Sequence, residues 1–364
     1  MSKGRVHVGM SGGVDSSVAA LLLKEAGFEV TGVFIQGWYP DFLECNWKDE
    51  RRDAMRVAAM LGIPFLTVSA EDAYKKEVID YMVREYSLGR TPNPDVMCNR
   101  HVKFGVFFDE AMKQGADFIA TGHYAQVEHG THENDVVLRS AVDSDKDQTY
   151  FLWNVPKQAL SHTSFPIGHL RKTEVREIAR KNHLITADKK DSQGVCFLGK
   201  VSMKDFLKHS IRTEQGDVLD TKGNVIGYHE GALLYTLGER RGFTITKKGT
   251  DDTPRYVIDK DIIKNTLTVS EKNESTLEKF ARNEVVIAHT NWISDEPKEG
   301  ETLMARFRHQ QTLRRVRVLK KEGGKDTEEE AWTIVFVEEQ ETVSPGQSLV
   351  VYRGNQCLGG GIVK

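Results

Sequence analysis

The stretch Val6-His7-Val8-Gly9-Met10-Ser11-Gly12-Gly13-Val14-Asp15-Ser16-Ser17 decides how the rest of the chain is read. Val6 and Val8 alternate as a strand does, and Gly12-Gly13 make a tight turn. Val18, Ala19, Leu21, Leu22 and Ala26 then recur at helical spacing, with Gly27 placed as a left-handed C-cap. A strand that turns through glycines into a helix gathers unpaired backbone N–H groups and the positive end of the helix dipole at one point. Such a point binds phosphate. Ser11, Ser16 and Ser17 add hydroxyl donors.

The stretch lacks the Gly-Lys-Ser/Thr ending whose lysine reaches the β- and γ-phosphates in the common triphosphate loop. Ser-Gly-Gly-x-Asp-Ser after a first strand instead resembles the pyrophosphatase-type loop of enzymes that split ATP into AMP and pyrophosphate. Asp15 suits that reading, because a carboxylate beside phosphates is unfavourable unless a cation such as Mg2+ lies between them. Taken alone, Asp15 also fits a simple complement to the helix dipole, with the glycines only making a turn.

The 364 residues suggest two or three domains, and 39% hydrophobic with 28% charged residues fits a soluble globular protein. No apolar run approaches the roughly 20 residues needed to span a bilayer. Met1-Ser2-Lys3-Gly4-Arg5 leads too quickly into a strand for a signal peptide, so a cytoplasmic location is expected. The net charge of −3 requires any nucleic-acid binding to use a local basic patch. Cys45, Cys98, Cys196 and Cys357 form no Cys-x-x-Cys pair, against both a disulfide scaffold and a four-thiolate zinc site.

Beyond the first helix, Glu29 to Ile35 reads as a second strand, Asp49 to Leu61 as a helix and Pro64 to Val68 as a third strand. This alternation predicts an α/β fold, a parallel sheet with helices on both faces and ligands beyond the carboxyl ends of the strands. Ile35 ends the second strand, where it can pack on an adenine; ordinary sheet core fits the pattern equally. A helix is expected over Tyr74 to Tyr86. In Gly89-Arg90-Thr91-Pro92-Asn93-Pro94-Asp95-Val96-Met97-Cys98-Asn99-Arg100-His101-Val102-Lys103-Phe104, two prolines one residue apart predict an ordered loop. Its polar and basic residues favour a Cys98 thiolate. Cys98 with His101 could form half a metal site, but no second half is evident. Lys103 to Gln114 reads as a helix and Asp117 to Thr121 as a fourth strand, ending in Gly122-His123 at the ligand edge. A lone histidine is more often structural than catalytic, but the place of His123 at that edge sets the two readings level.

Asp143 to Tyr150 reads as a solvated connection, and Lys172 to Lys181 as an amphipathic helix. Cys196 lies on a short apolar piece between Gly194 and Gly199, where a core cysteine is the ordinary reading. Past residue 205, turn signals between short strands predict a small β-rich domain and then a compact barrel. The expected domains are 1–205, 206–275 and 276–364. Residues 300–320 hold Arg306, Arg308, Arg314, Arg315, Arg317 and Lys320 against a single acid, Glu301. A hairpin with one arginine face, next to Phe307 and His309, suits a polyanion with stacked bases; a solvated sheet face is the alternative.

Together these motifs resemble the bacterial tRNA-specific 2-thiouridylases, which thiolate the wobble uridine. The resemblance covers essentially the whole chain. It rests on the first loop, on Gly89 to Asn99, on Ala120-Thr121-Gly122-His123-Tyr124 and on Asp145-Lys146-Asp147-Gln148. Gly194-Val195-Cys196-Phe197, Pro345-Gly346-Gln347-Ser348 and Cys357-Leu358-Gly359-Gly360-Gly361 complete it. It implies a pyrophosphatase-loop ATP domain holding ATP, with Mg2+, through Gly9, Met10, Ser11, Gly12, Gly13, Val14, Asp15, Ser16, Ile35 and Gly122. Relatives often carry Met in place of Ile35. Asn93, Pro94 and Asp95 would approach the target base, Cys98 would be the nucleophile and Cys196 the persulfide carrier. His123, Lys146, Asp147, Gln148, Arg308, His309 and Gln347 would touch tRNA of the Lys, Glu or Gln type. Relatives commonly have Arg-Tyr at Arg308-His309. A sulfur donor protein is implied as a further partner, and Cys45 and Cys357 match no catalytic position.

The implied chemistry needs these residue types. The uracil C2 oxygen is a poor leaving group, and adenylation turns it into AMP. A persulfide sulfur on Cys196 then attacks C2, and Cys98 resolves the persulfide, leaving a Cys98–Cys196 disulfide. Asp95 is the candidate general acid/base. The segment around Cys196 is expected to reorder when tRNA binds. Two other readings stand beside this one. The first is an ATP-to-AMP synthetase of the same fold acting on a small carbonyl substrate, which would need no paired thiols. The second is a non-catalytic ATP- and RNA-binding module.

Overall fold

A computed structural model of the chain describes residues 2–40, 42, 47–131, 135–190, 201–246, 253–271, 283–321, 331–338 and 343–364. Cys45 and Cys196, with the reordering expected around the latter, lie outside the described residues.

The first sheet is parallel. Its strands are β1 (Arg5–Gly9), β2 (Glu29–Gln36), β3 (Phe65–Ser69), β4 (Phe118–Thr121) and β7 (Thr163–Ser164), in the order β3-β2-β1-β4-β7. The apolar side chains of its central strands alternate between two cores. Phe34 and Ala120 pack with helix α1 (Val14–Glu25), helix α2 (Trp47–Leu61) and Val175 and Ala179 of the helix Lys172–Lys181. Val33 and Ile119 face the cluster of Phe104, Phe107, Trp153 and Leu160. Both faces are therefore covered, and the ligand edge lies where β1 and β4 end side by side, Gly9 opposite Thr121.

Between β4 and β7 the chain makes a hairpin, β5 (Ala125–His129) and β6 (Val136–Ser140), that leaves this sheet. Leu138 of β6 instead pairs with Cys357 in the C-terminal barrel. The first and last parts of the chain thus share one eight-stranded sheet.

The central β-rich part has strands β8 (Gly216–Leu219), β9 (Val225–His229), β10 (Thr244–Ile245), β11 (Arg255–Asp261) and β12 (Thr266–Glu271), ordered β10-β9-β8-β12-β11. The C-terminal part has β13 (Glu284–Trp292), β14 (Thr302–Arg306), β15 (Arg314–Lys321), β16 (Ala331–Phe336), β17 (Ser348–Arg353) and β18 (Gln356–Val363). These close on themselves through pairing of β13 with β18, Ile287 opposite Val363. The Gly359-Gly360-Gly361 run explains itself here. Gly359 has φ +134°, and a Cβ on it would stand 2.0 Å from the Asn291 carbonyl oxygen. A Cβ on Gly360 would stand 2.2 Å from that of Leu349. The barrel closes only around missing side chains.

Two sequence expectations are corrected. The stretch from Gly89 is not loop throughout: Pro94–Met97 is helical and runs on as a wide-turned π-type helix over Cys98–Val106. Pro94 sits at the first helical position, where a missing N–H costs nothing, and the Asn93 side chain caps the helix by accepting from Val96 N–H. Nor is Asp143 to Tyr150 solvated throughout, since Asp147 and Tyr150 are both buried at the junction with the barrel. Among the described residues, no helix is long and apolar enough to cross a membrane.

Candidate active site

The first loop is built as a cradle. Ser16 Oγ accepts from Ser11 N–H at 3.2 Å and donates to the Gly13 carbonyl, while Ser17 Oγ donates to the same carbonyl at 2.7 Å. No side chain caps α1, which leaves first-turn N–H groups for an anion. Gly12 is forced: its φ is +73°, and a Cβ there would lie 2.3 Å from the Glu50 carbonyl oxygen. Gly122, from the end of β4, lies against the loop, and a Cβ on it would be 2.6 Å from Ser16 N. Gly122→Ala therefore pushes the loop out of place. An AMP-formation assay is expected to show a loss of about 10²-fold, the scale of an ångström's misplacement, with little change in folding. Ile35 is half-buried at the end of β2, and it packs against both the sheet core and the cluster that leads to the central part.

Asp15 is not a bare carboxylate. Lys172 Nζ lies 2.8 Å from each of its oxygens, and Tyr124 Oη donates to Oδ1 at 2.8 Å. Lys189 Nζ reaches the Gly12 carbonyl at 3.0 Å and Asp53 at 2.8 Å. Two lysines thus converge on the phosphate cradle. Neither was picked out from the sequence. Lys172 did carry a signal, because a basic residue in the first turn of a helix opposes the macrodipole and needs another reason to be there. Mg2+ is commonly held by one or two carboxylates together with substrate phosphates. Asp15 fits that donor set, and Lys172 lies within 2.8 Å of both of its oxygens.

Asp95, Cys98 and Lys103 come from the helical run after the prolines. Burial pushes the Asp95 carboxyl above its ordinary range, while the charges of Lys103 and His309 pull it back. Cys98 is 7% exposed, packed with Met97, Val102, Phe206 and Leu207 where the first and central parts meet. Its surroundings are therefore less polar than the sequence suggests. Asn99 is buried, donating to the Phe151 carbonyl at 2.9 Å, while its Oδ1 accepts from no donor among the described residues. His123 is also buried, with Nδ1 2.7 Å from Thr121 Oγ1 and Nε2 3.4 Å from Lys103 Nζ.

The C-terminal barrel reaches this site directly. Thr91 N–H donates to the Pro345 carbonyl at 2.8 Å, and Thr91 Oγ1 is 3.2 Å from Thr236 Oγ1 of the central part. Gly346, at φ +89°, lies so close to Arg90 and Thr91 that a Cβ would meet both at 3.0 Å. Gln347 closes its own turn, its Oε1 accepting from Ser344 N–H at 3.4 Å. Arg308 donates to the Leu237 carbonyl at 3.4 Å, and His309 Nε2 lies 2.7 Å from the Asp147 carbonyl with its ring 4.5 Å from Phe151. Gln148 Oε1 accepts from Tyr124 N–H at 2.9 Å, and Lys146 is half-buried.

Asp147 and Arg306 depart most from expectation. Their side chains form a buried ion pair. Arg306 also donates to Tyr352 Oη at 2.8 Å and to the His309 carbonyl at 2.9 Å, and Asp147 accepts from Thr149 Oγ1. Arg306 thus leaves the exposed arginine face, where Arg314, Arg315 and Arg317 remain on β15. The beginning of the barrel loop is pinned to the first part of the chain instead. Burial pushes the nearby Cys357 thiol up to about 12, which makes it inert.

Comparison with known proteins gives a full-length match. Family profiles described as tRNA methyl transferase HUP domain, tRNA methyl transferase PRC-barrel domain and aminomethyltransferase beta-barrel domain match residues 4–200, 204–271 and 282–363. The tRNA-specific 2-thiouridylase of Enterococcus faecalis is 44% identical over 367 residues, covering 100% of this chain and 96% of that protein. The chain belongs to the tRNA-specific 2-thiouridylase family. The corresponding proteins of Streptococcus thermophilus and Alkaliphilus oremlandii are 43% and 42% identical, covering 100% and 99% of this chain and 95% and 96% of theirs. The family resemblance read from the sequence is thereby borne out, as is its fold, a parallel-sheet nucleotide domain followed by a small β domain and a closed barrel.

Proposed function

We propose that this chain is a tRNA-specific 2-thiouridylase. In this reading it uses ATP, with Mg2+ at Asp15, to adenylate the C2 oxygen of the wobble uridine, position 34. It then replaces that oxygen with sulfur, releasing AMP and pyrophosphate. The observation that carries the reading is the helix Pro94–Met97 running into Cys98. It carries a carboxylate and a thiol three residues apart, Asp95 and Cys98, in a chain that also has the Ser-Gly-Gly-x-Asp-Ser loop and full-length 2-thiouridylase relatives. The profile descriptions speak of methyl transfer, but a thiol next to a carboxylate and a phosphate cradle suit the relatives' own name better.

In the first step the uridine O2 attacks the α-phosphorus, the bond to the β-phosphate breaks, and pyrophosphate leaves. The N3 proton passes to Asp95, the general base. In the second step the terminal sulfur of a Cys196 persulfide attacks C2, and the C2–O bond breaks with its electrons leaving on AMP. Cys98 attacks the Cys196 sulfur, which breaks the S–S bond and leaves a Cys98–Cys196 disulfide for a thiol reductant to reset. Mg2+ would supply charge neutralisation for the departing pyrophosphate. Asn93 and Pro94 flank the base, and Ile35 and Gly122 line the nucleotide. His123, Lys146, Asp147, Gln148, Arg308, His309 and Gln347 form the tRNA-facing rim or its support.

The parts 1–205, 206–275 and 276–364 act as catalytic domain, spacer and tRNA-contacting barrel. The substrates are tRNAs of the Lys, Glu and Gln type, sulfur comes from a cysteine desulfurase or sulfur relay protein, and the reaction is cytoplasmic. The test is nucleoside mass spectrometry of unmodified glutamate-type tRNA incubated with Mg-ATP, a cysteine desulfurase and cysteine. A 2-thiouridine signal with the wild type and none with Cys196→Ser is expected. Thiolation that survives Cys196→Ser would contradict the sulfur route.

A further inference from the structure

Lys103 enters the sequence reading only as one of the basic residues around Cys98 and the start of a helix, yet in the fold it stands beside His123 and within electrostatic reach of Asp95. Its ammonium only donates hydrogen bonds. His123 Nε2, 3.4 Å away, is therefore an acceptor, and the ring proton sits on Nδ1, donated to Thr121 Oγ1 at 2.7 Å. His123 is thus neutral and fully used. Burial, with the charge of Lys103 adding to it, drives its pKa well below the ordinary histidine value. The rings of Phe104 and Phe165 hold it at 5.8 and 5.9 Å.

The next residue back, Gly122, rests on Asp15 and Ser16 of the phosphate cradle. On its other side, the Lys103 charge is felt by Asp95. Val102 and Phe104 are buried and anchor the stem, and Lys103 itself is half-buried. Among the described residues Lys103 makes no ion pair, whereas Lys172 and Lys189 both do. A half-buried cation held by a neutral imidazole keeps its full charge for an incoming anion.

We propose that Lys103 is a catalytic residue whose ammonium binds the α-phosphate of ATP while the uridine oxygen adds to it, and that His123 is its positioning residue. The inference rests on the 2-thiouridylase reading above. As O2 bonds to phosphorus and the pyrophosphate bond breaks, charge builds on the non-bridging phosphate oxygens. A fixed cation there stabilises the transition state more than the ground state. The N3 proton still goes to Asp95, and the same cation favours the ionised form of that carboxylate.

Lys103→Gln is the informative variant, because it keeps a donor for His123 Nε2 and removes only the charge. Single-turnover AMP formation is expected to fall about 10²–10³-fold, with tRNA and ATP affinities within about threefold of wild type. The acid limb of the rate profile should move to higher pH, since Asp95 loses a cation that lowers its pKa. Lys103→Arg, which restores charge, should recover at least about a tenth of the rate even if the Gln variant folds poorly. AMP formation by Lys103→Gln within threefold of wild type would overturn the proposal. So would a loss matched by an equal loss of tRNA affinity, or no recovery by a folded Lys103→Arg. Wild-type protein that forms no AMP with tRNA would instead remove the 2-thiouridylase reading itself.

Discussion

Asp95→Asn is expected to lower tRNA-dependent AMP formation by about 10²–10⁴-fold while leaving the affinities for ATP and tRNA nearly unchanged. The amide keeps the shape of the side chain and its place in the first turn of the helix that Pro94 begins, but it cannot take the N3 proton. The pH profile carries a second mark. Burial raises the Asp95 pKa from its ordinary 3.8, opposed by Lys103 and His309. A base must be ionised to act, so the wild-type rate climbs with pH through a limb above the usual carboxylate range and then levels. In Asp95→Asn that limb disappears.

Stability should move the other way. With its pKa raised in the fold, Asp95 binds a proton more tightly there than in the unfolded chain. It therefore costs stability as pH rises from the unfolded value through the folded one, and the cost persists at neutral pH. Removing the carboxylate is expected to leave the protein at least as stable as wild type in urea unfolding at pH 7. Lost activity with retained stability marks a group kept for chemistry. A variant that loses both in parallel would place Asp95 among the structural carboxylates.

Arg306→Met produces the largest expected loss of stability, about 3–5 kcal/mol, because it strands Asp147 as a buried, unpaired charge. The pair joins a loop of the first part to β14 of the barrel, and Arg306 also holds the His309 carbonyl and Tyr352. The loss should therefore extend to tRNA affinity, since His309 and Arg308 depend on the same anchor. Replacing both partners by apolar residues, Arg306→Met with Asp147→Leu, removes the stranded charge and should recover much of the stability. Urea unfolding of the two single variants and the double variant measures this directly. A cost below about 1 kcal/mol for Arg306→Met would mean that the pair behaves like a surface ion pair.

The parts of this fold that were legible in the sequence are those fixed by local rules. The Gly12-Gly13 turn, the strand before it and the helix after it follow from spacing alone, and Lys172 to Lys181 falls as expected. What escaped is tertiary. Proline spacing suggested a loop around Cys98, but Pro94 begins a helix as readily as it ends one, and the Asn93 cap decides between them. Arg306 alternates correctly with Ala305, yet a buried acid 159 residues earlier in the chain takes it off the exposed face. The β5–β6 hairpin joins a barrel whose other strands lie more than a hundred residues later, a pairing no local pattern could specify. Lys103 was read as the start of a helix, and its position beside His123 exists only after the helix has packed against β4.

The most direct test of the central claim is the ratio of AMP to 2-thiouridine formed in one turnover by wild-type protein preloaded with persulfide, given Mg-ATP and unmodified tRNA. Adenylation of the C2 oxygen followed by sulfur substitution predicts one AMP per 2-thiouridine, with AMP appearing only when tRNA is present. AMP released in the absence of tRNA, or 2-thiouridine formed without AMP, would contradict it.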